Sequence, residues 1–198
     1  RMDGNNWGPN MKNPLEQFSP RLSLRYTFAP QWTFNANTGT YFQLPAYTSL
    51  AFQDNQGVYV NRDMKYIKNQ QYVAGVEYDF AKRNSVITVE GFIKQYSQYP
   101  VSQNLGISLA NLGADFGAVG NEKVNSFGLG RTYGMEMLYQ QRLFNGAYGI
   151  LAYTWVRSEF TNADGQYAPS SWDSRHIVSL TGGKKFGNNW EIGGRFAF

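Results

Sequence analysis

Cysteine is absent from this 198-residue chain, and His176 is its one histidine. Disulfide cross-links are excluded, and so are the common zinc patterns, which need Cys and His at set spacings. The missing disulfides say little about compartment, because large sheet proteins hold together without them. No apolar run approaches the roughly 20 residues of a transmembrane helix. No glycine motif leads from a strand into a helix, so the usual phosphate cradles are missing. Charge is not concentrated: 18 Lys and Arg face 14 Asp and Glu, net +4, spread over many segments. A nucleic-acid binder gathers its cations on one face, so no nucleic-acid partner is expected. No leader-like segment opens the chain, because Arg1 begins a polar Gly/Asn/Pro stretch. An exported protein is therefore expected to begin upstream of Arg1.

What is present is alternation. Segments 21–28, 32–43, 71–80, 86–96, 131–143, 147–157, 175–184 and 190–198 place apolar residues at every second position. Each is roughly the length of a tilted strand that crosses a bilayer. Mean hydropathy is only −0.48. That value is compatible with membrane strands, which need one apolar face and not two. Aromatic residues make up 17% of the chain, with 14 Tyr, 14 Phe and 5 Trp, as interfacial girdles require.

The links alternate in length. Those around Ala29–Pro30, Lys82–Asn84, Asn145–Gly146 and Gly187–Asn189 are tight, and those at 44–70, 97–130 and 158–174 are long. Bacterial outer-membrane barrels place short turns in the periplasm and long loops outside. The expected fold is all-β, a transmembrane antiparallel β-barrel built as an up-and-down meander. Parity then puts both ends, Arg1 and Phe198, on the long-loop edge. Complete bacterial barrels begin and end in the periplasm, so residues 1–198 are expected to be a partial outer-membrane barrel of about eight strands. A small closed eight-stranded barrel and a soluble β-sandwich or propeller are the alternatives.

Period-two alternation assigns faces. Leu22, Leu24, Tyr26 and Phe28 oppose Arg21, Ser23, Arg25 and Thr27. Tyr72, Ala74, Val76, Tyr78 and Phe80 oppose Gln71, Gly75, Glu77 and Asp79. Tyr133, Met135, Met137 and Tyr139 oppose Thr132, Gly134, Glu136 and Gln140, and Ile192 and Phe196 oppose Glu191 and Arg195. The apolar set is expected to face lipid. The expected lumen face carries Arg21, Arg25, Glu77, Asp79, Glu90, Lys94, Glu136, Glu191 and Arg195, as a solvated, salt-bridged wall. Segment 147–157 is apolar on both faces and stays unassigned. Trp32 and Trp190 follow short turns, and Phe28, Tyr78 and Phe80 precede them, which marks a periplasmic girdle.

Catalytic chemistry finds little footing. Ser170-Ser171-Trp172-Asp173-Ser174-Arg175-His176 holds Ser, Asp and His, but triad members meet in space from different elements. His176 is expected to be a hydrogen-bonded residue at a strand end. No catalytic or metal-binding residue is nominated, and no cofactor. Asp54, Asp63, Asp115 and Asp164 are too dispersed for a calcium site. Substrate-binding residues are not identified; loops 44–70 and 97–130 are the first places to look. Loop 44–70 carries Tyr47, Phe52, Tyr59 and Tyr66, expected to pack on one another. Loop 97–130 carries the tracts Leu112-Gly113-Ala114-Asp115-Phe116-Gly117 and Val119-Gly120-Asn121-Glu122.

Several runs, taken in order, resemble the barrel of TonB-dependent outer-membrane receptors. They are Phe18-Ser19-Pro20-Arg21-Leu22-Ser23-Leu24-Arg25-Tyr26, then Gly39-Thr40-Tyr41-Phe42-Gln43-Leu44-Pro45, then Tyr72-Val73-Ala74-Gly75-Val76-Glu77-Tyr78. Val89-Glu90-Gly91-Phe92-Ile93-Lys94, Tyr133-Gly134-Met135-Glu136, Tyr153-Thr154-Trp155 and Trp172-Asp173-Ser174-Arg175-His176 follow. The resemblance covers nearly everything from Phe18 onward. It implies a 22-stranded barrel closed by an N-terminal plug, of which this chain would be an arc without plug or remaining strands. It also implies active import, with no enzyme activity, of a scarce or bulky nutrient such as a siderophore, corrinoid, peptide or glycan. The implied partners are outer-membrane lipid, a TonB-type energy-coupling protein reached through the N-terminal region, and a surface lipoprotein. A non-transporting scaffold of a surface complex is the alternative.

Overall fold

The computed structural model describes residues 4–113, 119–187 and 189–198. The expectations for Arg1, for Ala114–Gly117 of the first glycine tract, Asp115 included, and for Asn188 in the last tight link lie outside the described residues. The strands are β1 (Arg21–Ala29), β2 (Trp32–Gln43), β3 (Ile67–Phe80), β4 (Ser85–Ser102) and β5 (Val124–Phe144). They continue with β6 (Ala147–Thr161), β7 (Tyr167–Pro169), β8 (Arg175–Lys185) and β9 (Glu191–Ala197). One short helix, α1 (Tyr47–Leu50), interrupts the first long loop.

All strands join one antiparallel sheet in the order β1-β2-β3-β4-β5-β6-β8-β9. The small strand β7 pairs with the end of β6, Glu159 opposite Pro169, just past the point where β8 leaves it at Val156 opposite Arg175. Among the described residues β1 does not pair with β9, so the sheet is an open meander and not a closed eight-stranded barrel. Local chemistry sets the tight turns. Asn145 and Gly146 both have positive φ, 49° and 78°, the conformation a two-residue hairpin needs. Asn84, with φ 53°, ends the turn at Ala81–Arg83 in the same way.

The long-loop ends of β4 and β5 reach further than the expected segments 86–96 and 131–143. β4 runs to Ser102 and β5 starts at Val124, although Pro100 interrupts the first of these extensions. The pairing survives by shifting register between Tyr96 and Tyr99 and again at Pro100, where Gln98 has φ 60°. A bulge of this kind absorbs residues that a regular ladder rejects. β5 is 21 residues long, about twice what a tilted bilayer crossing takes.

Register shows which residues share a face. Leu24, Ala36, Ala74, Gly91, Met135 and Trp155 are successive cross-strand neighbours from β1 to β6. Arg25, Asn35, Gly75, Glu90, Glu136 and Thr154 form the adjacent row on the opposite face. The expected apolar and polar sets are thus each on one face. The pairing also assigns β6: Leu151, Tyr153 and Trp155 join the apolar face opposite Tyr139, Met137 and Met135, and Ile150 and Ala152 join the polar one.

Among the described residues nothing covers the apolar face. Leu22 is 70% exposed, Tyr26 61% and Ile192 65%, values no soluble sandwich core would show. The buried cluster of Met11, Leu50, Met64, Tyr66, Leu109 and Val124 lies instead among the long loops. At the short-turn edge, Phe28, Trp32, Tyr78 and Phe80 form a chain of ring contacts with centroids 6.3, 4.7 and 4.6 Å apart. This continuous aromatic border is what a lipid–water interface selects. On the polar face Arg25 pairs with Glu77 at 2.9 Å, while Arg21 sits over the Tyr41 ring at 4.3 Å.

Replacing Val76 or Met135 by Arg puts a cation into lipid, at a cost of roughly 2–4 kcal/mol near the midplane. The same replacement of Gln140, on the polar face, is expected to cost little. Urea titrations of the barrel refolded in lipid vesicles check this, with lowered stability for V76R and M135R and near-parental stability for Q140R.

Candidate functional site: the loop cavity at the long-loop edge

Four segments converge at the long-loop edge: 4–20, 44–66, 103–123 and 162–174. Their own core holds them together, with Trp7, Phe42, Leu44, Tyr99, Leu112 and Val119 packed around the six buried residues. Polar ties run between every neighbouring pair. Asn5 Nδ2 donates to the Tyr66 hydroxyl, Asn10 Nδ2 to the Asp63 carbonyl and Arg62 Nη2 to the Trp7 carbonyl, at 3.1, 2.7 and 3.0 Å. Thr48 Oγ1 donates to the Val119 carbonyl at 2.7 Å. Across the other side, Ser171 N donates to the Ala110 carbonyl and Ala163 N to the Gly106 carbonyl, at 3.0 and 2.8 Å.

Asn61 is the hub. It is 2% exposed. Its Nδ2 donates to the carbonyls of Ser49 and Glu122, both at 2.8 Å, and its Oδ1 accepts from Val124 N at 3.0 Å. One buried amide thereby satisfies three backbone groups, Ser49 in its own loop and Glu122 and Val124 at the end of the next. Gly120 passes close by with φ 85°; a Cβ there would fall 2.0 Å from Ser49 Oγ, so both conformation and space require glycine.

Beneath this core, on the polar face, Tyr96, Tyr99, Phe160 and Trp172 form an aromatic group. Phe160, 1% exposed, lies 5.2, 4.5 and 6.0 Å from the other three ring centroids. Gly130 makes room for it, because a Cβ at that position would stand 2.3 Å from the Phe160 ring. Above the group opens a cavity of ≈ 600 Å³ lined by Gln43, Leu44, Ile67, Tyr99, Leu109, Leu112, Val119, Ser171 and Trp172, among others. Its volume falls in the range of small-molecule sites, and the lining is apolar and aromatic with a few polar groups, as such sites are.

Residues of both loops nominated from sequence line this cavity. Trp172 and Ser171 come from the third long loop and were not singled out for binding; an exposed Trp in a loop was the available signal. The aromatics of loop 44–70 divide. Tyr66 is buried and Tyr59 meets Trp7 edge-on at 5.2 Å, whereas Tyr47 stays 77% exposed. Two of the loop aspartates serve turns: Asp54 Oδ1 accepts from Gln56 N and Val58 N, and Asp164 Oδ1 from Gln166 N, all at 2.9 Å. Among the described residues no three His, Asp or Glu side chains converge as a metal site. His176 Nδ1 lies 2.9 Å from the Tyr153 hydroxyl, while Asp173 is engaged by Arg157 and Arg175 at 3.3 and 3.7 Å. Ser, His and Asp therefore do not assemble into a triad.

The whole chain, residues 1–198, matches the family model described as TonB dependent receptor-like, β-barrel. No curated protein sequence matches it. Among solved structures it is similar to the ferric-catecholate import receptor Fiu of E. coli K12, with TM-score 0.65 and 16% identity over 89% of this chain and 24% of that one. The alcaligin outer-membrane receptor FauA of Bordetella pertussis gives TM-score 0.61 and 15% identity over 91% and 29%. The ferripyoverdine receptor of the Pseudomonas aeruginosa outer membrane gives 0.62 and 16% over 90% and 22%. The chain thus spans between a fifth and a third of the length of these structures.

Asn61→Ala strands two carbonyls and one N–H in a buried loop core, each costing about 1–3 kcal/mol. The expected result is faster proteolytic cleavage within 44–66 and 103–123, with unchanged heat-modifiable migration of the barrel on gels.

Proposed function

The chain belongs to the TonB-dependent receptor-like β-barrel family, and from that premise we propose that it is an arc of an outer-membrane active importer. In this reading the long loops face the exterior, and the plug and remaining strands come from outside residues 1–198. The loop cavity gives first contact to a scarce or bulky nutrient of the siderophore, corrinoid, peptide or glycan class. Energy for release inward comes from a TonB-type protein acting on the N-terminal region of the whole receptor. An arc by itself leaves two unpaired edges, so transport is a property of the complete barrel.

The observation that carries the reading is the cavity. It opens on the polar face of the sheet, the side a barrel turns to its lumen, and at the loop edge. Ring faces of Tyr99 and Trp172 give a bulky ligand area to pack on without demanding one chemistry. The solved neighbours named for ferric catecholate, alcaligin and ferripyoverdine make ferric siderophores the first probes to try.

The test uses the intact receptor in a strain stripped of its other importers. Uptake of labelled ferric siderophores, cobalamin and oligosaccharides is measured with and without a protonophore. One probe is expected to enter and to stop entering when the proton gradient collapses. Trp172→Ala is expected to weaken binding of that probe about tenfold, or about 1.4 kcal/mol, with barrel assembly intact. Binding without energised uptake would favour the scaffold alternative.

A further inference from the structure

Strand β6 changes partner near its loop end. β8 pairs with it as far as Val156, opposite Arg175, and β7 takes over at Glu159, opposite Pro169. Arg157 and Ser158 lie between and face no strand residue on that side. In an antiparallel ladder the N–H and C=O of one residue point to the same neighbour. Ser158 meets Thr132 of β5 through the two hydroxyls, at 3.0 Å, and turns its backbone groups into the gap. Ser158 is fully buried, so leaving those groups bare would be costly.

The bend at 170–173 fills the gap. Ser170 N donates to the Ser158 carbonyl at 2.9 Å. Ser158 N donates to Asp173 Oδ1 at 2.8 Å. A carboxylate thus stands where a strand residue is missing. Its other oxygen is met by Arg157 Nε at 3.3 Å and Arg175 Nε at 3.7 Å, and the side chain is 4% exposed. Asp173 N donates back to the Ser170 carbonyl at 3.0 Å, which closes a turn with Ser171 and Trp172 at its tip. From the other side Ser171 N and Oγ both donate to the Ala110 carbonyl, at 3.0 and 3.2 Å.

Trp172 is the residue this turn carries. Its ring lines the loop cavity and meets Phe160 edge-on at 6.0 Å, yet the residue is half exposed. One ring contact does not fix a half-exposed side chain, so its place depends on the backbone beneath it. Asp173 itself does not line the cavity.

We propose that Asp173 is the positioning residue of the loop cavity. By capping the open rung of β6 at Ser158 it holds Trp172 ready for a ligand. A ring already in place loses less conformational freedom on binding, and affinity rises accordingly. This role rests on the importer reading, in which Trp172 touches the ligand.

The test labels the intact receptor in detergent micelles with 5-fluorotryptophan and follows Trp172 by fluorine NMR. Its resonance is identified by its loss in Trp172→Phe. Asp173→Ala is expected to shift and broaden that resonance and to leave the other tryptophans unmoved. Asp173→Asn keeps an acceptor for Ser158 N and is expected to restore the parental resonance. Binding of a ferric tris-catecholate is then titrated in the parent, Asp173→Ala, Trp172→Ala and the double variant. Asp173→Ala is expected to weaken binding about fivefold in the parent and not at all once Trp172 is gone, the non-additivity of residues that act together. An unmoved Trp172 resonance in Asp173→Ala would overturn the proposal. Additive losses in the double variant would also overturn it, because they give Asp173 a general structural role. Equal effects of Ala and Asn would overturn it by moving the hold from the Ser158 rung to the arginine pairs. If Asp173→Ala does not assemble, hydrogen exchange at the Ser158 amide of the parent decides, and exchange as fast as that of open loop amides overturns the proposal. If the ferric complex does not bind the parent, the importer reading loses its first probe, and the Trp172 resonance still decides the role of Asp173.

Discussion

Backbone hydrogen bonding in the absence of water is the constraint from which this structure follows. An N–H or C=O left bare in hydrocarbon costs several kcal/mol, so a strand that crosses lipid must be paired along its whole crossing. The ladders from β1 to β9 do this without a gap in their middle thirds: β2 and β3 pair residue for residue over the full length of β2. Among the described residues, register shifts occur near strand ends, at Thr27/Ala29, Tyr96/Tyr99, Tyr99/Pro100 and Gln141/Phe144. There water, loops or turns take over the freed groups.

Once the ladder is continuous, period two partitions everything else. One face accepts hydrocarbon and the other accepts charge, and a slip of one residue would exchange them throughout. The Arg25–Glu77 pair spans from β1 to β3, with Asn35 between them also accepting from Arg25 at 3.2 Å. Such a pair at the wet surface adds little stability. Its effect is to keep charge on the polar side of the register. Glycine has a specific place on that side: Phe92 lies across from Gly134 and Phe160 across from Gly130. The missing side chain is the space into which the neighbouring ring folds.

The loop assembly is a second, separate solution to burial. The sheet has no core of its own between layers, so compact packing is found where the chain leaves the bilayer and meets water. Long extensions of β4 and β5 raise a platform, four segments close over it, and Asn61 satisfies the backbone groups that the closure buries. Precise loops on a rigid sheet are the arrangement in which binding surfaces are commonly found. The cavity beside Tyr99 and Trp172 is the outcome.

The chain's own residues determined the positions of eight strands, the tight turns and the faces of β1, β3, β5 and β9. Each of these is local: alternation is read within a segment, and Asn145-Gly146 adopts positive φ because of what those two residues are. The aromatic border near Trp32 was legible for the same reason. Tertiary structure alone decided the rest. The face of β6 came from its pairing with β5, because Leu151, Tyr153 and Trp155 are no more apolar than the residues between them. The reach of β4 to Ser102 and of β5 back to Val124 depends on each strand supplying the other's hydrogen-bond partners across a loop, through shifts of register at Tyr99 and Pro100. β7 exists only because the end of β6 offers it an edge. The loop core and its cavity join Met11 to Val124 and Leu44 to Trp172, and contacts over such separations leave no periodic trace in a sequence.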